Sequence, residues 1–286
     1  MSDTIQAPFT LRDGLNIALY DWPLPRRQRP LAVVLIVHGL GEHAWRYDPL
    51  AQRLNEWGFI VRAYDQRGHG ESGGKPGTLS DDDDLLEDLA EVVDDTRRHL
   101  AQPWSCPLIL LGHSMGGLVC AAFVQQNRAP VDALVLSSPA LDAGLGRVKK
   151  GLIGLLYRWA PDWTLGNGLD PSHISHDPAV VQAYRDDVRV HDRISARLAR
   201  FIALRGPEVL AAAPRWPVPT LLLYAGDDHL VNPQGSRDFA AAAPRARVAS
   251  RCFDGLYHEI FNEIDPSPVY GALRAWLGQQ VRSGRG

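Results

Sequence analysis

The sequence predicts an α/β fold: a doubly wound, mostly parallel sheet with an inserted helical cap. Three observations carry that expectation. Short apolar runs recur along the 286 residues, helix-like segments separate them, and the alternation lapses after residue 139 and resumes near 218. LAVVLIVHG (31–39), FIVRAYD (59–65), PLILLGHS (107–114), ALVLSSP (133–139) and TLLLYAGDD (220–228) are continuously hydrophobic. That is the pattern of a strand covered by helices on both faces, as in a parallel sheet. Segments 47–57, 82–101, 116–126 and 234–243 read as helices between them, and such βαβ alternation argues for a parallel arrangement.

The elements follow in order. PFTLRDG (8–14) and LNIALYDWP (15–23) alternate apolar with polar residues around Asp13-Gly14, which reads as an antiparallel hairpin at the sheet edge. The acidic run 81–84 follows Ser80 and precedes a helical pattern. Acidic residues in a first turn complement the helix dipole, so helix-start chemistry is expected there rather than a metal site. Segment 140–215 is rich in Arg, Pro and Gly, with helical stretches GLIGLLYRWA and DRISARLARFIAL. It reads as a cap inserted into one core made of residues 1–139 and 216–286, because strands of one sheet lie on both sides. Leu152, Leu155, Leu156 and Trp159 fall at helical spacing within it. Ordinary core packing is the first expectation for them; a lid face against acyl chains or a lipid surface is the second. RVASRCFDG (247–255) reads as a last strand and 266–277 as a closing helix.

Composition narrows the function class. With 45% hydrophobic and 22% charged residues the chain resembles an ordinary soluble enzyme. A net charge of −3 gives no electrostatic reason to expect nucleic acid. The opening MSDTIQAPFTLRDG lacks a charged-then-apolar leader, and the longest apolar run, 31–37, falls far short of the ~20 residues a membrane span needs. Cys106, Cys120 and Cys252 sit at unrelated spacings, suggesting buried thiols of a cytoplasmic protein rather than a disulfide framework or zinc site.

The chemistry concentrates in a few places. Gly112-His113-Ser114-Met115-Gly116 matches G-x-S-x-G, directly after the strand PLILL and opening the helix GGLVCAAFVQQ. A serine there makes a sharp strand-to-helix turn, with small residues on both sides to avoid clashes. Serine needs a base, and the base needs a third group to orient it; with such an elbow the chain order is serine, acid, histidine. Of the histidines, His99, His173, His176 and His191 lie in helices or the cap, His69 and His113 beside glycine turns, and His38 and His43 in the loop after the third strand. His258 follows the last strand, where the carboxyl edge of the sheet lies, and is the candidate base. The acid is Asp227 or Asp228, adjacent residues that point different ways; spacing does not decide between them. The tetrahedral intermediate needs preorganised N–H donors, one on Met115 and one in the loop 38–41, for which Leu40 is the choice. No metal or organic cofactor is expected.

HGLGEH (38–43), DQRGHGESG (65–73), GHSMGG (112–117), AGDDHLV (225–231) and YHEIFNE (257–263) together resemble the monoacylglycerol lipase and bacterial lysophospholipase group of α/β-hydrolases. The resemblance runs in order over about residues 30–265. It implies the α/β-hydrolase fold and Asp228 as the acid, two residues before the Leu-Val pair. It also implies Leu40 and Met115 as oxyanion donors and a helical cap before the acid strand. Within the cap little matches beyond DDVRVHDRISARL (186–198). The implied activity is hydrolysis of monoacylglycerol-like or lysophospholipid-like esters, with transient membrane contact through the cap. A small-ester carboxylesterase, a thioesterase or an amide-cleaving relative keeps the same chemistry. The turn GHSMGG does not match the GGSWG usual in proline iminopeptidases. A non-catalytic, ligand-binding version of the fold is the alternative of another class.

Overall fold

The computed structural model of the chain describes residues 4–25 and 28–283. The first three residues of the opening stretch read for a leader therefore lie outside the described residues. In chain order the elements are β1 (Ile5–Thr10), β2 (Asn16–Trp22), β3 (Val33–Val37), α1 (Asp48–Glu56), β4 (Ile60–Tyr64), α2 (Asp84–Thr96), β5 (Leu108–His113), α3 (Ser114–Gln125) and β6 (Ala133–Ser137). Then come α4 (Arg147–Trp159), β7 (Thr164–Gly166), α5 (Pro178–Asp186), β8 (Arg193–Ser195) and α6 (Ala196–Ala212). The chain closes with β9 (Thr220–Ala225), α7 (Pro233–Ala242), β10 (Val248–Phe253) and α8 (Ser267–Ser283).

Among the described residues, eight strands form one sheet in the order β1-β2-β4-β3-β5-β6-β9-β10. From β4 to β10 neighbouring strands run parallel, whereas β2 is antiparallel to both β1 and β4. The edge hairpin forms as the alternation predicts. Gly14, at a φ of +88°, closes the turn by donating its N–H to the Leu11 carbonyl, a conformation that glycine adopts without Cβ strain.

Two cores explain the continuously apolar strands. Val33, Leu35 and Val37 of β3 pack with Leu85 and Leu89 of α2, Leu118 and Phe123 of α3, and Phe201 of α6. Val34 and Ile36 point the other way, to Leu50 and Leu54 of α1 and Leu273 and Leu277 of α8. Period-two alternation between two covered faces leaves no polar position to break the run.

Two expectations need correcting. None of the described side chains of α4 is buried; Val148 is 87% and Trp159 76% exposed. Core packing is not what their spacing serves, because among the described residues no layer covers the outer side of this helix. The acidic run also does more than start a helix. α2 begins at Asp84, whose Oδ2 accepts the N–H groups of Ser80 and Asp81. Asp82 and Asp83 instead bond to side chains of other helices. Among the described residues no helix is long and apolar enough to cross a membrane.

Candidate active site

Ser114 follows directly on the last residue of β5 and opens α3, and its φ is +53°. A non-glycine residue in the left-handed region costs of order 1–3 kcal/mol and persists only where its surroundings over-determine it. Here they do. A Cβ on Gly112 would lie 2.5 Å from the Gly116 carbonyl oxygen, and one on Gly116 would lie 2.2 Å from that of Val37. Only with both positions bare does α3 start this close to the end of β3. The Ser114 carbonyl is held by the Ala140 N–H at 3.0 Å.

The loops after β9 and β10 bring the acid and base together. His258 Nδ1 donates to Asp228 Oδ2 at 2.6 Å, and both side chains are almost fully buried. That bond places the ring proton on Nδ1 and leaves Nε2 as the acceptor. Asp228 Oδ1 also accepts the N–H groups of Leu230 and Val231, which locks its carboxylate in place. Asp227 turns to solvent and pairs with His229, so the structure separates the two aspartates that spacing left equivalent. Burial alone would lower the His258 imidazole, but Asp228, then Glu259 and Glu42, outweigh it and hold it above its ordinary value. Burial likewise opposes ionisation of Asp228, and His258 with the two backbone donors reverses that. His113, 4.6 Å from His258 between ring centres, is pushed down to about 4 by burial and by that neighbour. It stays neutral.

Loop 38–42 is held from both ends. The Gln66 N–H donates to His38 Nε2 at 2.9 Å, so the His38 proton sits on Nδ1 and is donated to the Gly39 carbonyl at 2.7 Å. In a trans peptide the next N–H points opposite the carbonyl, so this bond sets the direction of the Leu40 N–H. The Gly39 N–H is already taken by Glu42 Oε1 at 2.6 Å. Met115 is the second residue of α3, so its N–H belongs to a first turn that has no intrahelical acceptor. Leu40, Ser114 and Met115 border one chamber.

Sequence reasoning missed the clamp behind these loops. Arg46 donates to Glu42 Oε2 and, through both terminal nitrogens, to Glu259. One buried guanidinium thus ties the loop after β3 to the residue that follows His258. Burial would raise the Glu42 carboxyl, but Arg46 with His113, His38 and the Tyr47 hydroxyl brings it to about 2. The Arg46–Tyr184 contact, 4.7 Å from guanidinium to ring centre, adds α5 to the same knot. Only the i,i+4 spacing of Glu42 and Arg46 was visible in the sequence.

Two chambers meet at Ser114. One, of about 500 Å³, is walled by apolar side chains including Leu152, Ile153, Leu156, Trp163, Ile194 and Ile202. The other, of about 270 Å³, is the more polar of the two and is bordered by His258, Glu42, Asn167, Asp170, Arg185 and Glu259. Leu40, Asn167, Leu169 and Leu230 belong to both walls. A hydroxyl on a strained turn, an imidazole acceptor oriented by a carboxylate, and N–H donors beside the hydroxyl are the parts that acyl transfer requires.

The family described as serine aminopeptidase, S33, matches residues 28–265. A monoacylglycerol lipase from Mycolicibacterium smegmatis is 36% identical over 251 residues, which cover 87% of this chain and 88% of that one. An abhydrolase domain-containing protein from Dictyostelium discoideum is 30% identical over 279 residues; the chain spans 29% of its length. The crystal structure of a Paleococcus ferrophilus monoacylglycerol lipase superposes with a TM-score of 0.80 at 32% identity, covering 92% of this chain and 99% of that one. The chain belongs to this family and has the α/β-hydrolase fold.

Proposed function

From that membership and the site geometry, we propose that the chain is a serine carboxylic ester hydrolase working through an acyl-enzyme. Ser114 Oγ attacks the ester carbonyl while His258 takes its proton. The oxyanion is held by the N–H groups of Leu40 and Met115. His258 then gives the proton to the departing alcohol, and a water that it deprotonates releases the acid and frees Ser114. Asp228 keeps the imidazole in the required tautomer throughout. These residues and water close the reaction.

One observation carries the substrate class: Ser114 lies where an apolar chamber meets a polar one, and His258 borders the polar side. An ester with a long acyl chain and a polar alcohol fits that division, with the alcohol leaving where the proton donor stands. Carboxylates dominate the polar wall, namely Glu42, Asp170, Asp187, Asp192 and Glu259. A neutral polyol head, as in a monoacylglycerol, suits it better than a phosphate. Arg185, on the same wall, favours a second reading in which the head is that of a lysophospholipid. Glu42 and Glu259 share Arg46, and Asp187 is held by Arg189. That neutralisation weakens both the repulsion of a phosphate and the attraction of the free ammonium of an aminopeptidase substrate, so a neutral head suits the wall best.

The excursion between β6 and β9, read as residues 140–215, serves as the cap in this proposal. Val148, Leu155 and Trp159 stand out from α4 beside Lys149 and Arg158, a composition suited to transient contact with a lipid surface. Three unpaired thiols, on Cys106, Cys120 and Cys252, support a reducing, cytoplasmic setting.

Initial rates on nitrophenyl esters from acetate to palmitate test the proposal, with Ser114→Ala as the blank. Removal of a triad nucleophile costs ~10⁶ in rate. A maximum at medium or long chains, followed by faster turnover of monoacylglycerol than of lysophosphatidylcholine, is expected. A preference for acetate alone would leave a small-ester hydrolase, and no rate above the blank would leave a ligand-binding protein.

A further inference from the structure

α4 supplies Leu152, Ile153 and Leu156 to the apolar chamber, yet little in its own sequence holds it there. None of its described side chains is buried. Gly151 and Gly154, both inside it, have open space where a Cβ would stand, and glycine weakens a helix interior. Besides its packing along α6, its polar tie to the core among the described side chains runs through one carboxylate. Asp82, in the loop before α2, accepts the Tyr157 hydroxyl of α4 and Arg200 Nη1 of α6 on Oδ2, both at 2.8 Å. Its Oδ1 accepts Arg197 Nη1 at 3.1 Å. The Arg200 guanidinium also lies over the Tyr157 ring, 4.3 Å from its centre.

Asp83, one residue on, is bonded differently. It accepts Arg205 of α6 and Arg128, which follows α3, and neither bond reaches α4. Adjacent aspartates of one loop therefore separate two jobs, and only the first bears on the chamber wall.

We infer that Asp82 clamps α4 in place as a wall of the apolar chamber, making Asp82 and Tyr157 positioning residues that set the selection of acyl chains. The inference rests on the reading that this chamber takes the acyl group. A carboxylate shared by a hydroxyl and two guanidinium groups satisfies its lone pairs while joining three elements, so removing either end frees α4 to move relative to α6. The reacting atoms are untouched, because Ser114, His258 and Asp228 are held by the sheet and its loops.

The test compares Tyr157→Phe and Asp82→Asn with wild type and with Asp83→Asn, on nitrophenyl acetate and nitrophenyl laurate. Acetate rates should stay within about twofold in all. KM for laurate should rise roughly tenfold in the two clamp variants, the scale of one hydrogen bond to a charged group, and stay near wild type in Asp83→Asn. Equal losses on both esters, or no change on laurate, would overturn the inference. Amide hydrogen exchange on the same proteins reads the clamp without catalysis. Faster exchange over residues 147–159 in Tyr157→Phe, with α2 and α3 unchanged, is expected, and unchanged exchange there would refute the clamp even if no ester proved to be a substrate. Should Asp82→Asn fail to fold, Tyr157→Phe carries both measurements. Faster exchange without any hydrolysis by wild type would instead uphold the clamp and count against the ester reading.

Discussion

Two regions border the chambers at Ser114 and are held there by different means. The loops after β3 and β9 rise from strands whose side chains are buried on both faces, and with the loop after β10 their polar groups are bonded to one another. Gly39, Glu42, Arg46 and Glu259 form one such chain of contacts, and Asp228 with His258 another. α4 packs on α6 and is tied to the loop before α2 by a partly exposed carboxylate, Asp82, and it presents Val148 and Trp159 to solvent. A buried, fully bonded network leaves few alternative arrangements. With that junction and no buried side chain among those described in α4, the second region has fewer bonds to fix its position. Under the proposed function the contrast assigns chemistry to the rigid region and selection to the other.

The largest effect should come from the rigid side. Asp228→Asn should lower kcat by ~10⁴, as loss of the tautomer-setting carboxylate does in a triad, while Asp227→Asn should stay near wild type; equal losses would undo the distinction between them. The pH profile sharpens this. In the proposed reaction His258 acts as the neutral base, and its neighbours raise it above the ordinary imidazole value of 6.5. Activity should therefore fall on the acid side with a midpoint above pH 6.5, and Asp228→Asn should move that midpoint down. A midpoint below 6.5 in the wild type would contradict the arrangement.

A smaller loss is expected from His38→Ala, which frees the Gly39–Leu40 peptide. It should lower kcat on a short ester by up to the ~10²–10³ that one oxyanion donor supplies, with KM little changed. A rise in KM alone would assign His38 to substrate binding instead.

The smallest effects belong to α4. Replacing Leu155 and Trp159 together by Ser should weaken binding to phosphatidylglycerol vesicles by roughly tenfold, since side chains only partly buried at a lipid surface realise a fraction of the ~1.5–3 kcal/mol of full burial. Rates on dissolved nitrophenyl acetate should not move. Unchanged vesicle binding would remove the lipid surface from the reading of this helix.

Much of the fold was legible because its signals are local. A strand covered on both faces must be apolar throughout, as β3 and β5 are, and a serine turn between strand and helix needs bare neighbours such as Gly112 and Gly116. Asp228 could be chosen over Asp227 only by resemblance, since both sit at one strand end. The Arg46–Glu259 contact joins residues 213 apart, and no pattern in either neighbourhood announces it. The acidic run at 81–84 was legible only in part for the same reason: it does start a helix, but a first-turn aspartate and one reaching across to Tyr157 look alike until the helices are placed.

The sequence by itself determined the order of elements, the strained turn at Ser114 and the loop that carries His258, because each depends on residues within a few positions of one another. Tertiary structure alone decided which aspartate faces His258, how Arg46 couples two loops, and that the apolar stripe of α4 lines a chamber on one side and meets water on the other. Those outcomes depend on groups that chain length separates and packing reunites, and burial and bond direction are properties of the assembled surroundings rather than of any residue alone.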